Sequence, residues 1–137
     1  LRVGWGYGSR KIIKAMNNIK PPFNVNKLAQ IAAIKSLEDK NFLKKSVAHN
    51  TIWGNKIKNQ LNKFDISTNK VNTNFLLLNF NNCKFSSKYV KKKLEKKGII
   101  LRSMESYNIK NCLRLTIGNV SENKKLILNL KRIFSKK

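Results

Sequence analysis

Three arginines, Arg2, Arg102 and Arg114, stand among apolar residues in stretches that read as strands. The chain holds 25 lysines and only 5 arginines, so an arginine in a strand is the exception. A guanidinium offers a planar fork that grips a carboxylate or a phosphate through two parallel hydrogen bonds, and an ammonium cannot copy it. In the run Asn111-Cys112-Leu113-Arg114-Leu115-Thr116-Ile117-Gly118, alternation sends Leu113, Leu115 and Ile117 to one face and Arg114 and Thr116 to the other. A charge on a half-buried strand is costly unless an anion meets it. On the pattern alone, a surface-strand cation and an anion anchor are both open readings. If residues 99–104 pair with the Arg114 strand as a hairpin about Tyr107 and Asn108, Arg102 and Arg114 come close to facing each other. Like charges so placed repel, and an anion between them is the natural compensation.

Other chemistries have less support. Cys83 and Cys112 lack metal-ligand spacing, and His49 is the only histidine. Three glycines fall within the first eight residues, but their spacing matches neither the dinucleotide fingerprint nor the P-loop. The formal charge of +24 points to nucleic acid or an anionic surface. Yet the cations are spread over the chain and accompany twenty asparagines, the mark of compositional drift rather than of a patch. Lys91-Lys92-Lys93 and Lys96-Lys97 fall in one helix and read as a solvated face. A basic nucleic-acid module remains the rival from another class, and it would need aromatics exposed on a basic surface. No apolar run approaches bilayer-spanning length.

The elements that must position these arginines follow from periodicity. Residues 1–8 read as a strand whose glycines admit close approach. Ser9 caps a short helix to about residue 18, and Pro21-Pro22 forces an extended connection. Asn26 caps a helix whose run from Leu28 to Ile34 is apolar enough to be buried on more than one side. A longer helix is expected over 40–63, with Trp53, Ile57, Leu61 and Phe64 at core spacing. Gly54 is a weak point in it, costing about 1 kcal/mol relative to alanine. Residues 65–73 are polar and turn-like. Phe75-Leu76-Leu77-Leu78 is a buried strand. A helix then opens at Ser86 or Ser87, turns Tyr89, Val90 and Leu94 inward, and ends at Gly98. Strands follow at 99–104 and around Arg114. Ser121 caps a final helix with Leu126, Ile127, Leu130, Ile133 and Phe134 on its buried side. The class is α+β, with a small, mainly antiparallel sheet and packed helices.

Five separated stretches carry a resemblance. They are Leu1-Arg2-Val3-Gly4-Trp5-Gly6; Pro22-Phe23-Asn24-Val25-Asn26 with Leu28-Ala29-Gln30; Asn74-Phe75-Leu76; Gly98-Ile99-Ile100-Leu101-Arg102; and Leu113-Arg114-Leu115-Thr116-Ile117-Gly118. Their order resembles the C-terminal part of the histidinol-phosphate aminotransferases, a branch of the fold-type I aminotransferases that depend on pyridoxal 5'-phosphate. The resemblance implies residues 1–25 as the last strand and helix of a large cofactor domain with its connector, and 26–137 as the C-terminal small domain. It implies that Arg2 holds the cofactor phosphate. It implies that Arg114 grips the substrate's acidic end, and that Arg102 helps with a substrate phosphate. Where the family tends to proline, this chain has Ser103.

By the same resemblance, the Schiff-base lysine is expected just upstream of Leu1, so these residues supply no catalytic group and are expected to be inactive alone. Residues 26–137 are then expected to fold better alone than 1–137. The implied substrates are histidinol phosphate with imidazole acetol phosphate, and glutamate with 2-oxoglutarate, in histidine biosynthesis. Relatives acting on aromatic or other amino acids stay open. A cytoplasmic homodimer without nucleic acid, membrane or metal completes the expectation.

Overall fold

The computed structural model describes residues 1–135. Its elements are α1 (Arg10–Ile19), α2 (Lys27–Glu38), α3 (Lys40–Asn62), β1 (Ser67–Thr68), β2 (Phe75–Asn79), α4 (Ser87–Glu95), β3 (Arg102–Ser103), a 3-10 turn (Glu105–Tyr107), β4 (Cys112–Thr116) and α5 (Val120–Phe134). The chain forms two compact units, one from Leu1 to Lys44 and the other from Lys45 onward.

The second unit is an antiparallel sheet in the order β1-β2-β4-β3 with helices packed on it. Alternation sets its register. Leu76 pairs with Leu115 and Leu78 with Leu113, so all four side chains share one face. There they join Ile57 and Leu61 of α3, Val90 and Leu94 of α4, and Leu126 and Leu130 of α5 in one buried core. The opposite face carries Leu77 and, directly across from it, Arg114.

Local signals fix the helix ends. Ser86 Oγ accepts from the Tyr89 amide to start α4, and Gly98 at φ +69 follows its C-terminus, a conformation that suits glycine. The start of α5 lies two residues earlier than expected. Asn119, not Ser121, is its cap, and Asn119 and Glu122 exchange side-chain bonds to each other's backbone amides in a capping box. His49 of α3 reaches the Gly118 carbonyl, 2.9 Å away, and ties the helix to the end of β4.

Five other expectations change. Gly54 is a requirement rather than a weak point, because a Cβ there would stand 2.5 Å from Val71 Cγ1 and 3.2 Å from Ile117 Cδ1. Tyr89 turns outward, 42% exposed, because it stacks on Phe85 at the edge of the core, 4.7 Å between centroids. The strand expected over 99–104 narrows to Arg102–Ser103, which pair in register with Arg114 and Leu113 of β4, and Met104 adds one amide bond to the Cys112 carbonyl. Residues 65–73, expected as a turn, contribute the buried Ile66 and the short β1.

The fifth change lies in the first unit. Residues 1–8 form no strand, since no strand among the described residues pairs with them and Arg2 sits at φ +64, outside extended geometry. Its helix α2 buries only Ala29, while Leu28 is 71% and Leu37 76% exposed. The apolar run makes the helix, but among the described residues nothing covers that face.

Candidate functional site

The geometry of the site begins with β3 and β4. Their register puts Arg102 directly opposite Arg114, a spacing of about 5 Å between Cα atoms in an antiparallel pair. The connection that produces this register is tight. Tyr107 and Ile109 both donate their amides to the Met104 carbonyl, and Asn108 donates to Glu105 O from a left-handed φ of +58. Ser103 Oγ accepts from the Glu105 amide, so the serine starts the turn with a side-chain bond.

Arg114 stands on the central strand and is half-buried. Its guanidinium carbon lies 5.6 Å from the centroid of Phe75, whose ring covers one side of it. Its Nε is fully buried and has no hydrogen-bond partner among the described residues. Leaving a charged donor in that state costs on the order of 1–3 kcal/mol or more, a penalty that a ligand accepting from the fork removes. The ion pairs of the described residues, Lys35–Glu38 and Lys91–Glu95, lie elsewhere. The opposed guanidiniums are therefore two cations on one face with no carboxylate between them.

Arg102 is exposed but held. Its Nη2 donates to the Tyr107 hydroxyl at 2.7 Å, and its guanidinium carbon sits 5.2 Å from the same ring. Tyr107 and Phe75 are the site residues that sequence reasoning missed. Phe75 could have been found from pairing, since it lies opposite Thr116, two residues along the same face from Arg114. Tyr107 could not, because its position over Arg102 depends on the 3-10 turn.

Arg2 belongs to the first unit, where it is exposed in a segment without regular structure. Asn26 Nδ2 donates to the Leu1 carbonyl beside it at 3.5 Å. The structure thus brings Arg102 and Arg114 together and presents Arg2 by itself.

The rival reading needs aromatics free to stack on bases. A groove of about 940 Å³ between α4 and α5 does carry Lys84, Lys96, Lys97 and Arg132. Its rings, however, are already engaged. Phe85 stacks on Tyr89 and packs at a tilt against Phe134, Lys84 lies over Phe85, and Lys93 lies over Tyr89. Among the described residues no cluster of metal-ligating side chains occurs, and no helix is long and apolar enough to cross a membrane.

Residues 1–130 match the family model for aminotransferase class I and II. The chain is 58% identical over 136 residues to the histidinol-phosphate aminotransferase of Pelagibacter ubique, covering 98% of this chain and 38% of that protein. The solved histidinol-phosphate aminotransferase of Clostridium acetobutylicum superposes with a TM-score of 0.79 at 23% identity, over 90% of this chain and 38% of that one. The enzyme of Sinorhizobium meliloti, solved with pyridoxal-5'-phosphate, gives a TM-score of 0.66 at 21% identity, over 88% and 33%. The chain spans about 38% of the length of the relative from Pelagibacter ubique. A matched model over nearly all its residues, and the α+β arrangement it shares with these solved aminotransferases, place the chain in the class I and II aminotransferase family.

Proposed function

We propose that this chain is part of a pyridoxal-phosphate-dependent aminotransferase that exchanges an amino group between histidinol phosphate and 2-oxoglutarate, in the cytoplasm and as a homodimer. Imidazole acetol phosphate and glutamate are the other substrate pair. The observation that carries the reading is Arg114 Nε, buried and without a partner in the face it shares with Arg102. A site built for an anion leaves such a donor waiting. The 58% identity to a protein named histidinol-phosphate aminotransferase supports the substrate assignment. In this reading residues 1–25 belong to the end of the cofactor domain and 26–137 to the small domain.

The residues present divide the work by charge. Arg114's fork can take two oxygens of either acid end, the glutamate side-chain carboxylate or the phosphate of histidinol phosphate, because both present paired oxygens at similar spacing. Arg102 adds a second cation for the more highly charged phosphate. Binding at this end fixes the distance to the reacting carbon, so the arginines contribute through orientation. Arg2 is suited to the cofactor phosphate, since its guanidinium is exposed and no ion pair in the first unit engages it. Pyridoxal phosphate would supply the electron sink that stabilises negative charge at the substrate's α-carbon.

The test uses the full-length protein with pyridoxal phosphate, followed by the change in cofactor absorbance on adding histidinol phosphate and, separately, glutamate. Arg114→Lys keeps the charge and loses the fork. It should reduce kcat/KM for both substrates by about tenfold or more. Cofactor absorbance unmoved by histidinol phosphate but moved by phenylalanine would keep the class and replace the substrate. Unchanged kinetics in Arg114→Lys would remove the anchor from the proposal.

A further inference from the structure

The two arginines are held in different ways. Arg114 is fixed by its place on a central strand and by Phe75. Arg102 stands on a two-residue edge strand with its side chain in solvent. A free arginine side chain gives up considerable rotamer entropy when it closes on a ligand. The structure removes much of that freedom through one residue, Tyr107, whose hydroxyl accepts from Arg102 Nη2 at 2.7 Å and whose ring lies beside the guanidinium. Tyr107 is itself fixed by the turn, through its amide to Met104 O at 3.0 Å and the left-handed Asn108 that follows.

We propose that Tyr107 is the positioning residue that sets discrimination between phosphate-ended and carboxylate-ended substrates, by holding Arg102 ready beside Arg114. This rests on the reading of the arginine pair as the site for the substrate's acid end. A carboxylate has two oxygens and one charge, and a single fork satisfies it. A phosphate monoester has three free oxygens and up to two charges, so one fork leaves an oxygen and part of the charge unmet. Only the phosphate-ended substrate draws on Arg102. Whatever preorganises Arg102 therefore changes one substrate's binding and not the other's. The one bond it donates to Tyr107 leaves the guanidinium's other donors available.

The experiment compares Arg102→Ala, Tyr107→Phe and the double variant in the full-length holoenzyme, with KM and kcat measured for histidinol phosphate and for glutamate. Tyr107→Phe keeps the ring and removes the accepting hydroxyl at a position that is more than half exposed. The KM for histidinol phosphate should rise by roughly three- to tenfold relative to that for glutamate, with kcat changing less than KM. In the Arg102→Ala background the same substitution should add nothing, because it acts through a guanidinium that is gone.

Equal changes for both substrates, or no change while Arg102→Ala raises the KM for histidinol phosphate, would overturn the role of Tyr107 and leave the arginine pair standing. A further loss on Tyr107→Phe in the Arg102→Ala background would overturn it too. If Arg102→Ala left that KM unmoved, the reading of Arg102 would fall and the role of Tyr107 with it.

Discussion

Replacing Gly54 with alanine should destabilise the protein, although the same change in most helices does the reverse. Inside a helix, alanine is favoured over glycine by about 1 kcal/mol. Here the new methyl would meet Val71 Cγ1 at 2.5 Å and Cγ2 at 3.1 Å, where ordinary contact begins at 3.4 Å. Val71 must retreat by about 1 Å, and it packs against the core. Overpacking of that kind costs about 1–3 kcal/mol, which leaves a net loss near 1 kcal/mol once the helix preference is subtracted.

The mechanism makes a sharper claim than the sign. Val71→Ala removes both offending methyls, so Gly54→Ala placed on that background should be neutral or stabilising, a coupling of about 1–2 kcal/mol. The Ile117 methyl at 3.2 Å needs to give by only a few tenths of an ångström. Urea midpoints of the full-length protein and its three variants would measure this. A higher midpoint for Gly54→Ala, or an equal loss in both backgrounds, would refute the argument that the glycine is there for close approach.

Asn119→Ala removes the side-chain acceptor of the Glu122 amide and should cost about 1 kcal/mol by denaturation. Asn119→Ser should recover most of that loss. Gly98→Ala forces a Cβ into φ +69 and should cost about 1–2 kcal/mol, whatever space surrounds it. Burial pushes the Cys112 thiol above its ordinary value, and burial together with the Asp65 carboxylate does the same for Cys83 against a backbone bond at Phe85. Both should alkylate more slowly at pH 8 than free cysteine. As pH rises past about 9 the unfolded thiols ionise before the folded ones, so stability should fall from there upward.

The legible parts of the fold were those where one residue's neighbours in sequence decide its environment. The apolar runs at Leu76–Leu78 and Leu113–Ile117 fixed two strands and their inner faces. The opposition of Arg102 and Arg114 followed from their spacing about a turn at Tyr107 and Asn108. Gly54 was misread because its partner, Val71, lies in an irregular stretch that no periodicity locates. The apolar face of α2 was legible as apolar, but periodicity names no partner for it. Tyr107 was seen only as part of a connection, since a 3-10 turn leaves no repeating signal long enough to detect.

The sheet order has a consequence during synthesis. Strand β4 lies at the centre, between β2 and β3, yet it is the last of the four to be made. Until the ribosome has added the 37 residues from Phe80 to Thr116, one edge of β2 has no partner in the chain. At about 5–20 residues per second that interval lasts roughly two to seven seconds. Throughout it, Phe75-Leu76-Leu77-Leu78 offers an apolar strand with open hydrogen bonds, the kind of surface that recruits a chaperone or a second nascent chain. Messages that stall between the codons for Phe80 and Thr116 should therefore give aggregation-prone products, whereas stalling past α5 should not. The placement of one strand thus ties solubility in the cell to translation speed over a defined stretch of the message.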